Sequence, residues 1–118
     1  MHYVRRGAFA ALCLVALSAC SSLITGGELI RPGEPTAIIE VINGTSNDIH
    51  AVLISECNAS TYGLNRMASG EVIAPGESRQ FTVSAGCWDV DAGTLGVGEA
   101  RQRMTLPPNS IQPYRITG

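Results

Sequence analysis

From Thr36 to Gly118 no stretch of ten residues keeps its apolar side chains on a 3.6-residue period; they come in short bursts divided by Gly, Pro, Asn and Asp. A helix needs a sustained apolar stripe to bury, so this patterning leaves strands of roughly 4–8 residues. The runs "TAIIEVIN" and "IHAVLISE" flank the turn cluster Gly44-Thr45-Ser46-Asn47-Asp48 and predict a hairpin or tight β-arch. Val52, Leu53 and Ile54 make the second run apolar on both faces, as a central strand would be. An irregular stretch, "CNASTYGLNRMASG", follows as the longest loop. Then "EVI" and "APGE" lead into "SRQFTVS", where Phe81 and Val83 alternate with polar residues, and Ala85-Gly86 turn the chain into "CWDVDAG".

In "CWDVDAG" the two-residue period puts Trp88, Val90 and Ala92 on one face and Cys87, Asp89 and Asp91 on the other. A one-residue slip would bury both aspartates, so Trp88 is expected inward and Asp89 and Asp91 in water. "EARQRMTL" sets Ala100, Gln102, Met104 and Leu106 against Glu99, Arg101 and Arg103. Pro107-Pro108-Asn109 break that strand, and "PYRIT" closes with Tyr114 and Ile116 inward. The expected fold is all-β, a small antiparallel sandwich or partly open barrel of six to seven strands over residues 36–118. Its phrase order, an "I-x-V-x-N-G-T" start, an "I-x-P-G-E-S-x-x-F-x-V" middle carried by Ile73, Pro75, Gly76, Glu77, Ser78, Phe81 and Val83, and a "G-C-W-D-V" strand, resembles small Ig-like sandwich domains of bacterial envelope proteins.

Ahead of this region, Arg5 and Arg6 precede an apolar run that is too short for a bilayer, which takes about 20 residues to cross. A basic head and small residues at the tail fit an export signal better than a buried helix. Leu17-Ser18-Ala19-Cys20 resembles the lipobox of bacterial lipoproteins, an aliphatic residue and two small ones before a cysteine. The resemblance implies a signal peptide over 1–19, cleavage between Ala19 and Cys20, and a diacylglycerol thioether on Cys20. Ser21, where an aspartate would favour retention at the inner membrane, leans towards the periplasmic face of the outer membrane. Residues 20–35, rich in Gly and Pro, read as a lipidated, flexible tether.

On that reading Cys13 leaves with the signal and Cys20 carries lipid. Cys57 and Cys87 remain as an even pair in an oxidising compartment and are expected to be bonded. Without Arg5 and Arg6 the chain keeps six arginines and no lysine against 10 acidic residues, which argues against nucleic acid and against electrostatic binding to anionic lipid.

No constellation points to catalysis. A thiolate nucleophile built from Cys57 or Cys87 with His50 fails if the cysteines are bonded. Asp89 and Asp91 share a strand face, but calcium takes six to eight oxygens and no D-x-D-x-D-G loop is present. A copper site from His50, Met67 and Met104 has nothing to fix its geometry, so no metal or cofactor is expected. Asn43-Gly44-Thr45 and Asn58-Ala59-Ser60 match glycan sequons, yet Asn43-Gly44 reads better as turn chemistry, and "GTLGVG" (Gly93 to Gly98) lacks the G-K-[ST] of a phosphate loop.

The loop from Cys57 to Gly70 is the candidate recognition surface, with Tyr62, Leu64, Asn65, Arg66 and Met67 as its contacts, though a pinned loop is also mere connection. The leading expectation is a non-enzymatic, lipid-anchored envelope module for binding, scaffolding or structure, with the membrane as partner and an envelope protein as a candidate second one. A ligand carrier or protease-inhibitor-like module acting through the 57–70 loop is the alternative, and a cryptic hydrolase or metal enzyme a third.

Overall fold

The computed structural model describes residues 27–94 and 97–118; the expected signal peptide, its Ala19-Cys20 cleavage site and the lipidation site lie outside them. Six strands follow one another: β1 (Thr36–Asn43), β2 (Ala51–Glu56), β3 (Ser78–Ser84), β4 (Gly86–Thr94), β5 (Gly98–Leu106) and β6 (Ile111–Ile116). They form two three-stranded sheets, β3-β1-β6 and β2-β4-β5, and the fold is all-β and not a closed barrel. "EVI" does not make a seventh strand. Only Ile73 pairs, with Ile49, before Pro75 removes a donor and Gly76 turns the chain at a φ of +81°.

β1 shows why alternation folds as it does. Ala37, Ile39, Val41 and Asn43 are buried while the residues between them are only partly covered. Antiparallel pairing sets Ile39 opposite Phe81 and Ala37 opposite Val83. The other neighbour, β6, runs parallel to β1, so this sheet is mixed where an antiparallel one was expected. The turn before β6 explains it. Asn109, in the left-handed region at φ 61°, donates its N–H to Thr36 O, and Ile38 N–H donates to Ser110 O, so β6 starts beside the start of β1.

β4 is the centre of the second sheet, and Trp88, Val90 and Ala92 point into the core as the register required. Trp88 is fully buried and donates its indole N–H to Ser84 O at 2.8 Å. Met104 and Leu106 from β5 and Tyr114 and Ile116 from β6 join it. Gln102, in line with them, is exposed. At the β4–β5 connection only glycine fits position 93, with φ +146° and space for a Cβ only 2.1 Å from Gly98 O.

Two expectations change here. β2, apolar on both faces, is an edge strand and not a central one. Its second covering comes from the 57–70 loop. The stretch read as a free tether is, from Gly27 on, strapped to the domain. Ser84 N–H donates to Leu29 O, Arg31 N–H to Ser84 Oγ and Ala85 N–H to Pro35 O, while Leu29 packs on the core. Gly and Pro composition signals irregular backbone, not backbone without partners.

Candidate functional site

Cys57 follows β2 and Cys87 lies near the start of β4, and the two are bonded with their Cα atoms 5.6 Å apart. Glu56 faces Trp88 in the β2–β4 ladder, so the cysteines are the next pair along. The bond therefore staples neighbouring strands of one sheet and not the edges of two sheets. With both sulfurs engaged, the Cys–His nucleophile has no thiol.

The bond anchors the 57–70 loop, which folds back along β2. Asn65 Oδ1 accepts from Val52 N–H at 2.9 Å and from Met67 N–H at 3.1 Å, and Asn65 Nδ2 donates to His50 O. Arg66 N–H donates to Val52 O at 2.7 Å, and its guanidinium donates to Ile54 O and to Gly27 O. The loop thus satisfies the groups an edge strand would offer to another chain. Burial draws the Arg66 guanidinium down from its usual range. Met67 is buried in the core. Of the five candidate contacts, Asn65, Arg66 and Met67 bond or pack within the fold, whereas Leu64 is 56% exposed and Tyr62 is half-buried.

Tyr62 lies over the outer face of β2-β4-β5, its ring 5.1 Å from the Arg101 guanidinium. Arg103 holds Asp89 through two bonds of 2.8 and 3.0 Å and donates to Cys57 O. Arg101 donates to Asp91 Oδ2 at 3.3 Å and lies 3.6 Å from Glu99. Asp91 is not in water as expected. It is 2% exposed, between Leu53 of β2 and Arg101 of β5, and its Oδ1 has no hydrogen-bond partner. Burial, reinforced by Glu99, outweighs Arg101 and pushes its carboxyl up to about 6. The strand period gave the right face; the covering of that face by Leu53 and its neighbours lies outside what a period encodes.

At the opposite end from the disulfide, a cleft of about 700 Å³ opens between the β1–β2 turn, the β4–β5 end and the end of β6. Asp48, His50, Gly93, Glu99 and Ile116 are among its walls, and His50 is exposed. Asn43 beside it is fully buried. Its amide donates to Asn47 O and Ile73 O and accepts from Thr45, so in the folded chain the side chain of this apparent sequon is a turn staple. Met67 and Met104 belong to the core, apart from exposed His50, and among the described residues no three His, Cys, Asp or Glu side chains converge as metal ligands.

Neither a family model nor a curated protein matches this chain.

Proposed function

We propose that this chain is a lipid-anchored lipoprotein of a bacterial cell envelope, held at the periplasmic face of the outer membrane. In this reading it acts without catalysis, as a binding or structural module. The observation that carries the reading is Leu17-Ser18-Ala19-Cys20 behind Arg5, Arg6 and a short apolar run. A single acyl chain binds membranes only marginally, whereas a diacylglycerol on Cys20 would give a lasting anchor. The Cys57–Cys87 bond supports an oxidising compartment. The alternative of a ligand carrier draws its support from the end cleft, because the 57–70 loop uses Asn65, Arg66 and Met67 to build the fold.

Feeding expressing cells an alkyne fatty acid tests the reading. Wild type should take up label in the envelope fraction, and Cys20→Ala should stay unlabelled with its leader uncut. Equal incorporation in the two would refute the lipoprotein assignment.

A further inference from the structure

The edge of a sheet offers unpaired backbone groups to another chain, and this fold blunts three of its four edges. On β2, Asn65 Oδ1 and Arg66 N–H take up the backbone of Val52, and the Arg66 guanidinium takes up Ile54 O. On β3, Leu29 O of the strap accepts from Ser84 N–H, and Arg79 donates to Gln80 O. On β6, Ser110 O and Ile116 O accept from Ile38 and Gly44 at the two ends of β1, so the residues that alternate with them face outward. Pro113, which has no N–H to offer, is one of these. β5 has no such cover. Gly93 O accepts from His50 N–H and Cys87 O from Cys57 N–H, so the odd-numbered residues of β4 turn their backbone groups to β2 and the even-numbered ones to β5. Trp88, Val90 and Ala92 pair there with Met104, Gln102 and Ala100. Arg101, Arg103 and Thr105 therefore point N–H and C=O away from β4, and among the described residues no other segment meets them. Charge is a common guard of such an edge, but Arg101 and Arg103 lean back over β4 onto Asp91 and Asp89.

We propose that the open edge of β5 docks a second copy of this chain, antiparallel, so that the two β2-β4-β5 sheets become one. The pattern of charge along the strand selects that partner. Only outward-facing residues exchange backbone bonds across the new ladder, so its registers differ by two-residue steps. With Arg101 on the two-fold axis, Glu99 of each copy stands opposite Arg103 of the other, and the ladder makes roughly six backbone bonds. A step one way sets Arg101 against Arg103 on both sides of the axis, like charges directly opposed. A step the other way leaves β5 at Gly98 after roughly four bonds. Arg101 meets its own counterpart at the axis, but its guanidinium is held by Asp91 and lies 5.1 Å from the Tyr62 ring, over the sheet and off the edge. Exposed Gln102, next to the axis, comes to face Ala100 of the second copy. The pairing stands whether or not Cys20 carries lipid.

Photocrosslinking in cells that express two differently tagged full-length copies tests this. The photoreactive residue p-benzoylphenylalanine replaces Gln102 at the edge or, in a separate strain, Leu64, which is 56% exposed on the loop over β2. Position 102 should join the two tags through an adduct that maps to residues 98–104 of the other copy, and position 64 should not. Arg101→Pro in both copies removes the outward N–H at the axis and leaves the bonds of β5 to β4 in place, so the yield from position 102 should fall about tenfold. Arg101→Ala loses the same side chain but keeps the N–H, and should keep the crosslink. Trp88 emission reports whether each variant is folded, and if Arg101→Pro unfolds, the position of the adduct decides alone. No adduct between the tags from position 102, equal yield from position 64, an adduct to a different envelope protein, or equal yields from folded proline and alanine variants would overturn the proposal.

Discussion

The two sheets share one core but differ in what covers their outer faces. In β3-β1-β6 the strand period reads directly: β1 alternates without a break, and Glu40, facing out, bonds Gln80 across the ladder in solvent. In β2-β4-β5 the outer face carries Leu53 and Asp91, both nearly inaccessible, and a loop that begins at the disulfide runs along β2. A strand's own sequence specifies which side chains share a face. Whether that face is wet depends on segments elsewhere in the chain.

If the inner faces are equivalent, truncating either should cost alike. Trp88→Ala and Phe81→Ala should each lose about 3–5 kcal/mol, read as urea midpoints of the soluble domain from Gly27 onward. A loss at Trp88 no larger than a surface change would dissolve the shared core. Removing the disulfide by Cys57→Ser with Cys87→Ser bears on the second sheet alone and should cost about 2–5 kcal/mol. An unchanged midpoint would show that the loop holds β2 unaided.

Arginines separate the outer faces. Arg66→Ala strips a charged donor from Ile54 O and Gly27 O and should cost about 2–3 kcal/mol. Arg115→Ala, exposed on the outer face of β3-β1-β6, should cost under about 1 kcal/mol. Equal losses would mean that the two faces are equally wet.

The effect at Asp91 is the most specific. Asp91 holds its proton up to about 6 in the folded chain, against 3.8 in the unfolded one. Between those values the folded state binds the extra proton, so this site's contribution is fully present below about pH 4 and is lost as pH rises through about 6. Asp91→Asn should therefore be more stable than wild type at neutral pH by about 1–2 kcal/mol, with the difference vanishing near pH 4. Other carboxylates work the opposite way. Ala68 N–H and Arg79 hold Glu71 below the usual range, so the comparison must be wild type against variant at each pH. A variant less stable at neutral pH would place Asp91 as a well-paired charge.

Much of the fold was legible because single side chains decided it. Trp88 set the register of β4, alternation in "TAIIEVIN" set β1, and "NGT" with buried Asn43 set the first turn. The parallel seat of β6 was not legible, since it follows from backbone bonds between the Asn109-Ser110 turn and the start of β1. Nor was the strap, because its backbone bonds and the contacts of Leu29 and Arg31 join it to residues 25 or more positions along the chain. The 57–70 loop was marked by its length and its arginine. Yet the carbonyls that Arg66 reaches lie 12 and 39 residues away, so a surface for binding and a surface for folding look alike in the string of residues. For β2, apolar residues on both faces pointed to a central strand because period cannot distinguish a neighbouring strand from a covering loop.

Intact mass spectrometry of the protein extracted from envelopes, denatured without reductant and treated with alkylating agent, tests the account most directly. The chain should begin at Cys20, carry a diacylglycerol thioether, and gain no alkyl group at Cys57 or Cys87. A chain that retains its first 19 residues without lipid, or that takes up alkyl groups at both cysteines, would contradict it.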